Sequence, residues 1–198
     1  MGELKQLLPL RGRPMVSWVV EAICQAGLAQ VIVVLGAQAG AVSEALAGLE
    51  VDTVLNEDWE EGMASSLRVG MQLVRPGLGA VIIVLADQPS LGPDLIRGLA
   101  ERWQSTGAPV VAPFYQGRRG NPVLFDCSLF ADLTAVTGDK GGREIIQEHR
   151  IRMERVEVQD PAVLFDVDTR QDYERARASE RRGTEDGVVG GPETEDVR

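Results

Sequence analysis

Asp87 is the residue whose setting points most directly to chemistry. It closes the apolar run "GAVIIVLAD", after which Gln88-Pro89 turns the chain out of any sheet. In an open α/β sheet, ligands bind beyond the carboxyl ends of the strands. A lone carboxylate there suits a Mg²⁺ ion that keeps several waters and bridges substrate phosphates. The alternative is an acid capping the turn before the helix of "GPDLIRGL". A second candidate is "EEGMASSLRVG", where Gly62 permits close approach and Ser65 and Ser66 offer hydroxyls. The helix start there supplies unpaired N–H groups with positive dipole character, suited to phosphate or ribose oxygens. A helix N-cap with a glycine turn reads equally well from the residues alone. The third is "LFDVDTRQDY", whose Asp166 and Asp168 lie two apart in extended chain and so point to one face, ahead of a helix capped by Thr169. Acids favoured by a helix N-terminus are the plainer account of that pair.

The elements that must position these residues are legible from periodicity. "PMVSWVVEAICQAGL" has helical spacing, with Pro14 at its start and Gly27 at its stop. "QVIVVLG" is a continuous β-branched run, as in a strand covered on both faces. "AVSEALAGL" reads as a helix, "VDTVLN" as a strand, "GMASSLRVGMQLV" as a helix and "GAVIIVLAD" as the most apolar strand of the chain. This alternation predicts parallel βαβ units and an open, mostly parallel, doubly wound Rossmann-like sheet with helices on both faces. The helix "PDLIRGLAERWQ" and strand "APVVAPFY" follow. "QGRRGNPVLF" reads as a small β-hairpin inserted as a substrate flap. A helix at "GGREIIQEH", a strand "MERVEV" and a helix "RQDYERARA" complete a single domain over residues 1–178. Residues 179–198, charged and rich in Gly, read as a disordered acidic tail.

Bulk properties exclude several classes. The chain has 198 residues and a formal net charge of −10, which argues against a nucleic-acid partner. No apolar run approaches the roughly 18 residues of a membrane span, and the N-terminus lacks a secretory pattern, so a cytoplasmic protein is expected. The two cysteines, Cys24 and Cys127, lack metal-ligand spacing and read as reduced, packed thiols. The single histidine, His149, rules out a multi-histidine metal site and reads as a helix-end residue.

Taken in order, "MGELKQLLPLRGRPMV", "EEGMASSLRVGM", "LADQPSL", "GRRGNPVLF", "TGDKGGREII" and "DVDTRQDYERA" resemble the nucleotidyltransferases that make molybdenum cofactor dinucleotides. The likeness is greatest to the molybdenum cofactor cytidylyltransferase branch and extends from Met1 to about Ala178. The resemblance implies transfer of CMP from CTP to molybdenum-molybdopterin, with release of pyrophosphate. Alternatives inside the class are GTP as donor or another phosphorylated acceptor. Outside it stands a catalytically silent cofactor carrier.

What the resemblance implies can be carried over residue by residue. Lys5 contacts the triphosphate, and Asp87 holds Mg²⁺ together with Asp168 in preference to Asp166. Gly62, Met63, Ser65 and Ser66 line the nucleotide pocket. Arg118, Arg119, Asn121, Lys140 and Arg143 face the phosphate of the molybdopterin acceptor, and a recipient molybdoenzyme is a further expected partner. Asn121 departs from the histidine common at its place.

Family members open with a buried strand and a loop of the form L-A-A-G-x-S-x-R-M-G-x-x-K. Met1-Gly2-Glu3-Leu4-Lys5 matches only its last five positions. The resemblance therefore implies a chain read from an internal methionine or a truncated gene, lacking the family's first strand and most of the glycine-rich loop. That strand would lie beside "VIVVLG" and "AVIIVLAD", and each buried backbone group left unpaired would cost about 1–3 kcal/mol.

Overall fold

Arg11 and Gly12, at φ of 50° and 75°, form the tight turn that folds β1 (Pro9–Leu10) onto β2 (Arg13–Pro14). Two positive φ angles at the centre of a two-residue loop match the right-handed twist of its flanking strands. A 3₁₀ turn, Lys5–Leu7, precedes this hairpin in the computed structural model, which describes residues 4–138 and 141–185. Helix α1 (Met15–Gln25) follows and ends before Gly27, whose φ of 73° suits a glycine after a helix. Strand β3 (Ile32–Leu35), α2 (Ala39–Ala45), β4 (Asp52–Leu55), α3 (Met63–Gln72) and β5 (Ala80–Ile83) keep the alternation that the sequence predicts. Helix α4 (Pro93–Thr106) starts on a proline and stops at Gly107. Beyond it lie β6 (Val110–Tyr115), β7 (Arg118–Arg119), β8 (Val123–Asp126), α5 (Phe130–Ala135), α6 (Arg143–Glu148), β9 (Glu154–Glu157) and α7 (Arg170–Glu185).

Helices cover both faces of the sheet, and strand alternation decides which residues meet them. From β5, Val81 and Ile83 join the cluster of Phe125, Leu133 and Ile145, packed under α3, α5 and α6. Ala80 and Ile82 turn to the opposite face, against Leu95, Leu99 and Trp103 of α4. Strands β5, β6 and β9 run in one direction, with β8 antiparallel between β5 and β6. The expected hairpin is present as the β6–β7 pair, but its returning strand is no peripheral flap. Val123, Leu124 and Phe125 are all buried, so three consecutive apolar residues place β8 inside the sheet.

Three further differences from the sequence reading stand out. Helix α7 passes Ala178 and reaches Glu185, so the stretch read as a tail begins as helix. The helix is already nucleated by a Thr169–Asp172 capping box, and each Glu or Arg added costs little once a turn exists. Residues 186–198 lie outside the described residues. Cys127 is exposed rather than packed, and α5 was not anticipated.

The sheet is divided. Strand β3 pairs only with β4, and β5 pairs only with β8, among the described residues. Asp52 N–H and Asn56 N–H donate to the carbonyls of Val31 and Leu35, so the backbone groups of Ile32 and Val34 point to the other edge. Helix α3 runs over both pieces. Gly70 approaches Val34 so closely that an added Cβ would lie 3.0 Å from its Cγ2, while Leu67 and Met71 pack on the cluster containing Val81 and Ile83. No helix among the described residues is long and apolar enough to cross a membrane.

Hydrogen exchange tests this division. The amides of Ile32 and Val34 should exchange at least about tenfold faster than that of Val33, which faces β4; equal protection would show that the open edge is paired.

Candidate active site

The site is assembled where the chain leaves β5. The Asp87 carbonyl accepts a 2.9 Å hydrogen bond from the Val167 N–H. The Val167 side chain is fully buried in a cluster with Leu10, Met15 and Ala176. One residue thus fastens the segment before α7 against the end of β5, with Asp166 and Asp168 on either side of it. Tyr173 of α7 donates its hydroxyl proton to the Pro9 carbonyl, which ties the same segment to the β1–β2 hairpin.

Lys5 meets this cluster from a short 3₁₀ turn spanning Lys5–Leu7. Its flanking Leu4 and Leu7 pack on the cluster formed by Val16 and Val20 of α1 and Leu35 of β3. The ammonium lies 2.7 Å from Asp87 Oδ2 and 2.7 Å from Asp168 Oδ1. Burial alone would lower its pKa, but the hydrogen bonds it donates to Asp168 and Asp87, with the charge attraction of both carboxylates, outweigh burial and raise it. Asp166 takes a different partner: Gln88 Nε2 donates to its Oδ1 at 2.6 Å. Burial, together with the negative charges of Asp87 and Asp168, pushes the Asp166 carboxyl above its usual range against the pull of Gln88 and Lys5.

The donor set fits a divalent cation. Asp87 Oδ1 is buried without a hydrogen-bond partner among the described residues, and an ammonium already bridges the other oxygen to Asp168. No group of three or more His, Cys, Asp or Glu is arranged for a metal among the described residues, so water and ligand oxygens must complete any coordination shell.

At the start of α3, Gly62 has φ 99° and ψ −171°, a region essentially restricted to glycine. The two serines differ in what they offer. Ser65 is 2% exposed; its hydroxyl is engaged with the carbonyls of Asp58 and Gly62 and with Asn56 Nδ2, so it braces the loop instead of facing a ligand. Ser66 accepts only the 3.0 Å bond from Asn56 among the contacts described. Met63 is exposed, and its sulfur would be 2.8 Å from a Cβ added at Gly141. The Ala64 N–H donates to the Gly138 carbonyl at 3.2 Å, which brings the segment before α6 beside the start of α3.

The cations expected to face an acceptor converge in part. Burial, reinforced by the positive charge of Arg143, lowers the Arg119 pKa. Arg118 lies at the tip of the β6–β7 hairpin and is exposed. The Asn121 N–H donates to the Val163 carbonyl, and an added Cβ at Gly120 would come within 2.4 Å of that oxygen. Lys140 lies outside the described residues.

Residues 1–155 match the MobA-like NTP transferase domain. The chain belongs to this family. It is 32% identical over 177 residues to nicotine blue oxidoreductase of Paenarthrobacter nicotinovorans, with 83% of each chain covered. The structure of an Rv0371c homologue from Mycobacterium sp. strain JC1 superposes with a TM-score of 0.83 at 31% identity, covering 92% of this chain and 90% of that one. Rv0371c of Mycobacterium tuberculosis, solved as a manganese complex, gives 0.77 at 32% identity, covering 89% and 93%.

Two site residues were not found by sequence reasoning, Asn56 and Gln88, each 1% exposed. Each follows the end of a strand, the signal that singled out Asp87, but as uncharged amides they attracted no chemical reading. Asn56→Ala would leave the Ser65 and Ser66 hydroxyls without their shared donor. A loss of about 1–3 kcal/mol in urea unfolding is expected, and an unchanged midpoint would show that water replaces the amide.

Proposed function

We propose that this protein transfers CMP from CTP to molybdenum-molybdopterin, forming the cytosine dinucleotide cofactor and releasing pyrophosphate. The observation that carries the reading is the convergence of Lys5, Asp87 and Asp168, within a member of the MobA-like NTP transferase family. An oxygen of the acceptor's terminal phosphate attacks the α-phosphorus of CTP. A new P–O bond forms there as the bond to the β-phosphate oxygen breaks, and the electron pair leaves with pyrophosphate. Such a reaction demands placement and charge neutralisation more than covalent participation by the protein.

In this reading Asp87 and Asp168 hold Mg²⁺, which when bound supplies positive charge against the phosphate oxygens. Lys5 adds a compact cation for the triphosphate. Gly62, Met63 and Ser66 line the nucleotide side, with Ser65 bracing them from behind. Arg119 and Arg143, joined by Arg118, Asn121 and Lys140, receive the acceptor phosphate. Gln88 draws Asp166 aside, which leaves Asp168 as the partner of Asp87. That the related Rv0371c forms a complex with manganese supports a divalent ion in this reading.

A second reading is favoured by the similarity to nicotine blue oxidoreductase, which extends over most of both chains. Here the scaffold would serve a redox reaction. Pyrophosphate release separates the two readings. With Mg²⁺, molybdenum-molybdopterin and α-labelled CTP, the chain should release pyrophosphate and label the acceptor, with GTP a poorer donor. Asp87→Asn should lower the rate at least about 100-fold, as expected for loss of a group that neutralises transferring phosphates, while leaving the melting temperature near that of wild type. Labelling that persists in the variant would remove Asp87 from the mechanism; no labelling with any NTP would sink the transferase reading.

A further inference from the structure

The Lys5 ammonium and a divalent ion compete for the same oxygens. Lys5 makes one hydrogen bond to each carboxylate, both at 2.7 Å, so neither Asp87 nor Asp168 is idle before a ligand arrives. Metal arriving alone would have to break both bonds and leave the ammonium beside a dication. A polyphosphate anion arriving with the metal changes that balance, because it offers Lys5 a new partner at the moment the carboxylates are taken.

The surroundings favour such an exchange. The Asp168 side chain is 66% exposed, so its half of the bridge opens readily to water, whereas Asp87 is 19% exposed and keeps its position. Asp87 Oδ1, buried without a hydrogen-bond partner among the described residues, marks where a stronger cation gains a contact that the ammonium does not make. The Lys5 carrier turn is short and anchored by Leu4 and Leu7, so the side chain can swing while its backbone stays in place.

We propose that Lys5 is a resident counter-cation of the Asp87–Asp168 pair, which yields the carboxylates to a divalent metal chiefly when a polyphosphate anion arrives to receive its ammonium. Metal and triphosphate then bind with positive coupling, and the coupling is reciprocal. This inference rests on the reading of Asp87 and Asp168 as metal-holding residues. It adds a second role for Lys5, restraining the metal before the nucleotide is present.

The test is Mn²⁺ binding by the full chain, read from the electron paramagnetic resonance of free Mn²⁺, with and without CTP and corrected for Mn²⁺ held by CTP itself. Without CTP, Lys5→Met should bind Mn²⁺ about tenfold more tightly than wild type, a gain of about 1.4 kcal/mol. The tightening that CTP brings should shrink by a similar factor in that variant. Lys5→Arg, which keeps the charge, should stay close to wild type. Equal or weaker Mn²⁺ binding by Lys5→Met would overturn the proposal. Adding Asp87→Asn to Lys5→Met separates the two levels: unchanged Mn²⁺ affinity in the double variant would place the metal elsewhere and defeat the site reading itself. Absence of Mn²⁺ binding in every form, with or without CTP, would overturn both.

Discussion

Like charges do not gather unaided, and the site depends on how this chain brings three carboxylates together. The fastening is the Val167 N–H bond to the Asp87 carbonyl, made firm by a fully buried Val167 side chain. Through it the end of β5, the start of α7 and the β1–β2 hairpin become one unit. The electrostatic cost is then met by two neutralising contacts of different kinds, a shared ammonium for Asp87 and Asp168 and an amide donor for Asp166. The two aspartates of one short segment therefore have different environments although their residue type is the same.

Much of this was legible in the sequence because it rests on local rules. Period-2 and period-3.6 apolar patterns located the major strands and helices, and Asp87, on the segment that leaves β5, lies where an open α/β fold offers a ligand its place. The convergence of Lys5 with Asp87 and Asp168 could not come from spacing, since 82 and 163 residues separate the partners. It was expected only from the resemblance. What stayed hidden was the partnership of buried amides. Asn56 diverts Ser65 from the ligand side, and Gln88 diverts Asp166, through tertiary contacts that no pattern of residue types announces. The extension of α7 escaped for another reason: "SERRGTE" looks like a solvated tail by composition, yet helix propagation from a capped start tolerates such residues.

Family membership and chemistry answer different questions here. The MobA-like match and the superpositions on Rv0371c and its homologue identify the scaffold. A relative at similar identity carries the name of an oxidoreductase, so the scaffold by itself does not dictate the reaction. The bridged carboxylates, the buried Asp87 oxygen and an Arg119 guanidinium that feels the charge of Arg143 are what tilt the reading toward handling of phosphates.

The divided sheet has a consequence for how the protein behaves in company. Sheets ordinarily leave their vulnerable edges at the rim, where lysines, prolines or bulges can discourage strangers. Among the described residues β3 pairs with β4 alone and β5 with β8 alone, and their runs, "IVVL" and "AVII", contain no charged residue or proline to act as gatekeeper. An extended segment that reached either edge, from the same molecule or another, would gain a hydrogen-bonded ladder. Repulsion from the chain's net charge of −10 opposes self-association. Colloidal stability should therefore weaken with added salt, as screening removes the one general barrier between exposed backbone and its nearest equivalent.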